Sequence, residues 1–258
     1  MIPKIIHYTW FSGEAFPKEI AQCIDSWHRH MPDWEYRLWD AETIKAIDIP
    51  FMQEALQEHK WAFAADVVRI WAVYHYGGIY LDTDAMVYRS LEPLLADHAF
   101  IGRENSMHID GPHTDVYLGS HCFGAEAKNP YMKLCLDYYE GRHFLVNTNT
   151  ALPQSLRYDM RLLPYIQSEL ARPAGYNPSV LADRRQQCDT LTVYPSHCFD
   201  MVGAAASDSY VRHLALGSWR TQPMYRPDYT LRYKMEWRVR QVVERMLRKY
   251  NYIMVKLR

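Results

Sequence analysis

The sequence contains no C-x-x-C pair, no internal repeat, no low-complexity or Gly/Ser-rich tract, no long uncharged run and no excess of either charge sign. Its five cysteines, Cys23, Cys122, Cys135, Cys188 and Cys198, are odd in number and scattered. That pattern excludes a regular disulfide frame or a cysteine zinc site and reads as reduced cytosolic thiols. The opening run, MIPKIIHYTWF, is too short and too rich in Tyr and Trp for a signal peptide. No uncharged stretch approaches the ~20 residues of a membrane span. Together these absences point to a bacterial protein of the cytoplasm. Lys and Arg total 29 against 30 Asp and Glu, a formal net charge of −1, so global charge argues neither for nor against a polyanion. No nucleic acid is expected as a partner, and any charge-driven contact has to come from a local feature. Without a linker in 258 residues, one catalytic-size domain, residues 1–231, is expected ahead of a C-terminal tail, residues 232–258.

Aromatic residues are abundant, at 14% with 20 Tyr and 8 Trp. Most belong in a core, although such faces also serve as platforms for sugars and nucleobases. The first eleven residues read as a buried strand, followed by a turn at SGEAFP and an amphipathic helix to about His30. WEYRLWD, residues 34–40, alternates as a second strand, with Asp40 placed to cap a following helix. This β-α-β-α opening favours an α/β sandwich with a largely parallel central sheet. A further helix is expected over Trp61–Tyr76, ending at the Gly77-Gly78 pair. Beyond Pro93 the pattern predicts strands in HAFIGRE and VYLGSHCFGA, helices over 130–140 and 153–170, and late strands in LTVYPSHCF and YVRHLALGSW.

The segment GGIYLDTDAM, residues 77–86, places Asp82 and Asp84 at the end of an apolar run. Residues two apart on a strand share a face, so the two carboxylates would emerge together. Close carboxylates repel unless a cation or hydrogen-bond donors compensate. A divalent ion, Mn²⁺ or Mg²⁺, takes such oxygen ligands and completes its shell with water and phosphate, whereas the alternative is a solvated acidic turn. The preceding helix is apolar nearly all round, with Asp66 and Arg69 as its formal charges, three apart on one face. Charges in a buried helix must be paired, so these two form an internal salt bridge or line a polar pocket. The adjoining D-x-D favours the pocket.

Three blocks, IPKIIHYTWFSG, AADVVRIWAVYHYGGIYLDTD and HLALGSW, resemble in that order glycosyltransferase family 32. The similarity covers roughly residues 1–90 well and 205–220 fairly. The resemblance implies a GT-A-type nucleotide-sugar-binding sandwich and a metal-dependent retaining hexosyl transfer from a nucleotide sugar to a glycan or lipid-linked oligosaccharide. By the same resemblance Trp10 sits by the nucleotide base, and Asp66, Arg69 and Asp82 contact the ribose and donor sugar. Asp84 becomes the direct metal ligand and His213 a second one, while Ser218 and Trp219 touch the diphosphate. His213 is one of twelve histidines, and its place in the motif is what selects it. A metal on the diphosphate would neutralise the leaving group, with Arg69 adding fixed positive charge.

No residue identifies itself by spacing as a nucleophile. Asp110, Asp115 and Glu126 read as loop or helix-face charges, so front-face attack by the acceptor hydroxyl is expected. VNTNTALPQS, residues 146–155, departs from the family's Gly-Pro stretch near the acceptor, and a Pro-started helix explains Asn147 and Asn149 without a substrate. Residues 232–258 have the pattern of a basic amphipathic helix, either packed on the domain or lying peripherally on an anionic inner membrane. UDP-sugars, UDP-galactose among them, head the expected donors, the resemblance also permitting UDP-N-acetylglucosamine, UDP-glucose and GDP-mannose, with capsule or O-antigen assembly as the setting. The alternatives are a haloacid-dehalogenase-type phosphatase, whose motif also ends a strand with D-x-D, and a carbohydrate-binding module without chemistry.

Overall fold

The computed structural model describes residues 1–110, 113–199 and 208–216. The chain divides into two units, residues 1–108 with 114–214 and residues 109–113 with 215–258. The first is described here. Ser218, Trp219 and the expected helix over 232–258 lie outside the described residues.

The chain begins with β1 (Ile5–Thr9), α1 (Lys18–His30), β2 (Glu35–Trp39) and α2 (Pro50–Gln57). This is the β-α-β-α order that the sequence pattern predicts. Helix α3 (Trp61–Tyr76) leads into β3 (Gly78–Leu81) and the short β4 (Ala85–Val87). Two long strands, β5 (Ala99–Asp110) and β6 (His113–Ala125), precede α4 (Pro130–Asp137), α5 (Gln154–Arg157) and α6 (Leu163–Ala171). The strands β7 (Gln186–Gln187), β8 (Thr192–Tyr194) and β9 (Val211–His213) complete the described elements.

Among the described residues, a seven-stranded sheet has the order β2-β1-β3-β6-β5-β8-β7, and β4 pairs with β9 in a separate ribbon. β1 runs parallel to β2 and β3, and β5 runs parallel to β8, while β6 is antiparallel to β3. Alternate residues of a strand face opposite sides. Accordingly Ile79, Leu81 and Phe100 join one buried cluster with Trp27 and Leu94, whereas Tyr80 and Ile101 join another with Val67, Phe51 and Tyr131. The sheet is therefore covered on both faces, the expected α/β sandwich, its mostly parallel sheet having the antiparallel β3–β6 pair at its middle.

Two predicted helices take other forms. Asp40 does cap, accepting from the backbone N–H groups of Glu42 and Thr43, but residues 41–46 form turns and the next helix starts at Pro50. A residue before proline avoids the helical region, so Ile49 closes off a segment already too short for a stable helix. The helix expected over 153–170 is split into α5 and α6. Between them Tyr158 bridges Leu145, the Asp159 N–H donates to the Phe144 carbonyl, and Leu162 is extended just before the Pro164 turn.

The Gly pair after α3 is required by space. Gly77 and Gly78 have φ of +66° and +104°, and a Cβ at Gly78 would sit 2.7 Å from the Ile5 carbonyl oxygen. Only glycine lets β3 leave the helix and lie this close to β1.

His7 locks the same junction from inside. Its buried ring donates from Nε2 to the Gly77 carbonyl at 2.8 Å and accepts at Nδ1 from Trp39 Nε1–H at 3.1 Å. Both ring nitrogens are used in the neutral form, and burial lowers the pKa from 6.5 to about 4, the Gly77 bond opposing the shift. An unfolded His7 would take up its proton near pH 6.5, so the stabilisation is complete above that value and is lost as pH falls toward 4. The gap corresponds to roughly 3 kcal/mol. Urea unfolding followed by Trp fluorescence is expected to show His7→Gln less stable than wild type at pH 7, with a flatter decline between pH 6.5 and 4. An unchanged slope would remove His7 as the source.

Candidate active site

Parallel strands in α/β sheets place ligands beyond their carboxyl ends. The register of β1 on β3, His7 opposite Tyr80, brings Thr9, Trp10 and Asp82 to that edge. The D-x-D itself does not continue the strand. β3 ends at Leu81, and Asp82-Thr83-Asp84-Ala85 is a tight turn closed by the Ala85 N–H donating to the Asp82 carbonyl at 2.9 Å. The strand alternation expected from the sequence is thus not what aligns the carboxylates. The turn does so, and β4 then carries the chain into its ribbon with β9.

That ribbon supplies the third group. Ala85 lies opposite His213, and the Leu214 N–H donates to the Asp84 carbonyl at 3.0 Å. His213 Nε2 comes to 3.2 Å from Asp84 Oδ1 and 4.0 Å from Asp82 Oδ2. One ligand atom from each of Asp82, Asp84 and His213 falls within 4.8 Å of the others. The ribbon is anchored from α1, where Trp27 Nε1–H donates to the Ala85 carbonyl at 2.6 Å and Ser26 Oγ accepts from the Val87 N–H at 2.9 Å.

The pair on α3 turns inward to the same place. Arg69, with its side chain 6% exposed, lies 3.3 Å from both Asp66 and Asp82 through Nη2. Its Nη1 donates to the Ser120 carbonyl at 2.9 Å and its Nε to the Ala65 carbonyl at 3.2 Å. Burial works against this guanidinium, but Asp82, Tyr80 and Asp66 outweigh it and raise its pKa. Burial also pushes the Asp66 carboxyl up to about 7, with Arg69 opposing the shift and Asp82 adding to it. Asp66 can therefore offer either a proton or a lone pair near neutral pH. The salt bridge and the pocket lining, alternatives at the level of sequence, are one arrangement.

Asp82 is restrained further by residues that sequence reasoning missed. Tyr80 O–H donates to Asp82 Oδ1 at 2.9 Å and its oxygen lies 3.1 Å from Thr9 Oγ1. A carboxylate only accepts, so the chain of donors runs Thr9, Tyr80, Asp82. The Arg69 guanidinium lies 4.6 Å above the Tyr80 ring, adding a cation–π contact. Tyr80 sits two residues before Asp82, a spacing visible in the sequence, whereas Ser120 comes from a distant strand and gives no local signal.

Trp10 follows Thr9 and is half-buried, its Nε1–H donating to the Glu14 carbonyl at 2.7 Å and its ring 5.1 Å from Phe16. Its position at the strand edge is compatible with a base platform. Other carboxylates are engaged elsewhere: Asp115 pairs with Arg172, and Glu126 with the N-terminal ammonium and His98. Asn147 and Asn149 cap successive turns through their own side chains, as a structural role requires. Asp110 lies at the end of β5 in the smaller unit.

Asp66 and Asp82 flank the one guanidinium and Asp84 lies beside His213, an excess of negative charge that a divalent ion would balance.

The comparisons agree with this chemistry. A family model described as a glycosyltransferase sugar-binding region containing a DXD motif matches residues 17–101. Inositol phosphoceramide mannosyltransferase 3 of Schizosaccharomyces pombe is 40% identical over 109 residues, covering 40% of this chain and 30% of the relative. Mannosyl phosphorylinositol ceramide synthase SUR1 of Saccharomyces cerevisiae is 34% identical over 117 residues, 42% of this chain and 29% of the relative. The chain thus spans less than a third of the length of these two relatives. Among solved structures, the PaToxG glycosyltransferase aligns at a TM-score of 0.45 and 17% identity, over 67% of this chain and 69% of that one. The matched segment carries Asp66, Arg69, Asp82 and Asp84, and the α/β sandwich with a D-x-D turn at the end of a central strand is the fold class expected from the sequence. Residues 17–101 thus match the DXD-containing sugar-binding region of glycosyltransferases, in keeping with the family 32 resemblance of the sequence.

Proposed function

We propose that the protein is a metal-dependent retaining hexosyltransferase that moves a sugar from a nucleotide donor to a hydroxyl of a lipid-linked or glycan acceptor. The observation that carries the reading is the convergence of Asp82, Asp84 and His213 within 4.8 Å, next to Arg69 and Asp66 in a water-poor wall. Asp84 and His213 would hold the cation, for which the mixed oxygen and nitrogen donors favour Mn²⁺ over Mg²⁺. When bound, such an ion supplies Lewis-acid stabilisation of the departing nucleoside diphosphate. Asp82, fixed by Tyr80 and Arg69, presents a rigid acceptor to donor hydroxyls, and Asp66 can donate to or accept from a neighbouring one. Arg69 adds a positive charge that needs no reorganisation at the moment of transfer. Front-face attack is the reading for retention, since the other candidate carboxylates Asp115 and Glu126 are engaged with Arg172 and with His98 and the N-terminal ammonium.

Two finer points move from where the sequence placed them. The relatives are named as mannosyltransferases, which supports a mannosyl nucleotide over UDP-galactose as donor. Their names also specify inositol phosphoceramide, which supports a lipid-linked acceptor, whereas capsule or O-antigen assembly has only the sequence resemblance behind it. A cytoplasmic location peripheral to a membrane belongs to the same proposal. Among the described residues, no helix is long and apolar enough to cross a bilayer.

Calorimetric titration with GDP and UDP, with and without Mn²⁺, tests the division of labour. Asp82→Asn and Asp84→Asn are each expected to lower turnover on the order of 100-fold. Only the Asp84 change should also weaken Mn²⁺ binding; equal Mn²⁺ affinity in both variants would contradict the assignment. In a donor-hydrolysis screen, GDP-mannose should be consumed faster than UDP-galactose, UDP-glucose or UDP-N-acetylglucosamine. Fastest turnover of a UDP-sugar would overturn the mannosyl assignment and leave the transferase class standing.

A further inference from the structure

His121 touches the proposed metal site from two directions. It lies on β6, buried at 4% exposure. Its backbone carbonyl accepts from the Asp82 N–H at 2.9 Å, tying the start of the D-x-D turn to the sheet. Its ring is stacked on that of His213, with centroids 4.5 Å apart and planes within 8°. Its Nε2 lies 2.9 Å from the Phe199 carbonyl oxygen, and since a carbonyl only accepts, Nε2 carries the proton.

The sequence makes room for this ring. Gly119 is two residues earlier on the same strand face, and a Cβ there would lie 2.9 Å from His121 Cε1 and 3.2 Å from Nδ1. Any other residue would push the ring off the strand. On β5, Gly102 does the same for Phe199, whose ring would come to 2.5 Å from a Cβ at that position. Phe199 can therefore settle on the sheet and present its carbonyl to His121. Two glycines, one on each of two neighbouring strands, thus support a histidine held at both its edge and its face.

An imidazole binds a metal along the lone pair in its own plane. A ring free to turn about its side-chain bonds directs that lone pair elsewhere for much of the time. His213 sits near the end of the short ribbon strand β9, with its side chain 27% exposed, so the strand alone restrains its ring weakly. The parallel stack fixes that plane. We propose that His121 is a positioning residue for the cation site: it holds the His213 imidazole in the orientation that directs Nε2 toward Asp84 and Asp82. The proposal rests on the metal site described above and adds to it a residue that acts through the His213 ring.

Groups that orient metal ligands typically change metal affinity by about 10- to 100-fold when removed. The test is Mn²⁺ titration of the full chain, read by calorimetry and by the EPR signal of free Mn²⁺, for wild type, His121→Ala, His121→Phe, His213→Ala and the double variant His121→Ala/His213→Ala. His121→Ala is expected to weaken Mn²⁺ binding at least ~10-fold. His121→Phe, which keeps a flat ring against His213, should recover most of that loss. In the His213→Ala background the His121→Ala change should cost less than ~2-fold more, because it acts through a ring that is no longer there. His121→Ala binding within ~2-fold of wild type, or an equal loss with and without His213, would overturn the proposal. Should His121→Ala fail to fold by circular dichroism, the Phe variant decides: a loss as large as that of His213→Ala overturns it. A wild-type protein that binds no Mn²⁺ would overturn the metal reading itself, a result distinct from wild-type binding that His121→Ala leaves intact.

Discussion

Arg69 brings a full positive charge into a helix whose other inward residues are Phe63, Ala64, Ala65, Val67, Val68, Ile70, Ala72 and Val73. Such a charge is tolerable only if its donors are used, and here they are shared among three elements: Ala65 on its own helix, Asp82 beyond β3 and Ser120 on β6. The guanidinium therefore works as a fastener between α3 and the sheet as well as a charge in the site. Removing one partner of such an arrangement costs several kcal/mol because the remaining charge stays buried. The packing of α3 and the placing of Asp66 and Asp82 are for this reason one problem with one solution.

From that fixed point the rest of the site is assembled by backbone geometry. Gly77 and Gly78 let β3 pass close under Ile5, and His7 ties that crossing to β2 through Trp39. β3 then delivers Asp82 to Arg69 and Tyr80, and the tight turn swings Asp84 into reach of β9. Trp27 and Ser26 hold β4 from the far side, so the turn is clamped at both ends. On the proposed function, a cation held by Asp84 and His213, each at the end of a short segment, needs such clamping to keep both ligand atoms in reach of one ion.

Much of this was legible in the sequence, for identifiable reasons. α3 and its glycine stop were readable because an apolar run with good helix formers and a Gly pair leaves few alternatives. Asp66, Arg69, Asp82 and Asp84 were readable because charges at fixed short spacings inside that run are costly without a purpose. Illegible were the features set by distant chain segments. The tight turn at Asp82–Asp84 depends on β4 leaving the sheet to pair with β9, which the local alternation of GIYLDTD does not encode. The break between α5 and α6 depends on Leu145 bridging Tyr158 across the intervening loop. His121 carries a weak local sign, a glycine two residues before it, but its meaning appears only when His213 arrives from the other end of the chain.

On the proposed function, the charge balance of the cluster gives donor and cation a reason to bind together. Asp66, Asp82 and Asp84 outnumber Arg69, while burial pushes the Asp66 carboxyl up to about 7 against the pull of Arg69. A diphosphate alone would add to the repulsion, and a divalent cation alone would bring an ion with coordination positions still to fill. Bound together, each supplies what the other lacks, since phosphate oxygens complete the shell of the ion and the ion offsets the charge of the phosphates. Arg69 cannot take over that task, because its donors are already committed to Asp66, Asp82, Ser120 and Ala65. On the proposed function, the fastener that holds the fold together is thereby also what leaves the remaining positive charge to a bound cation.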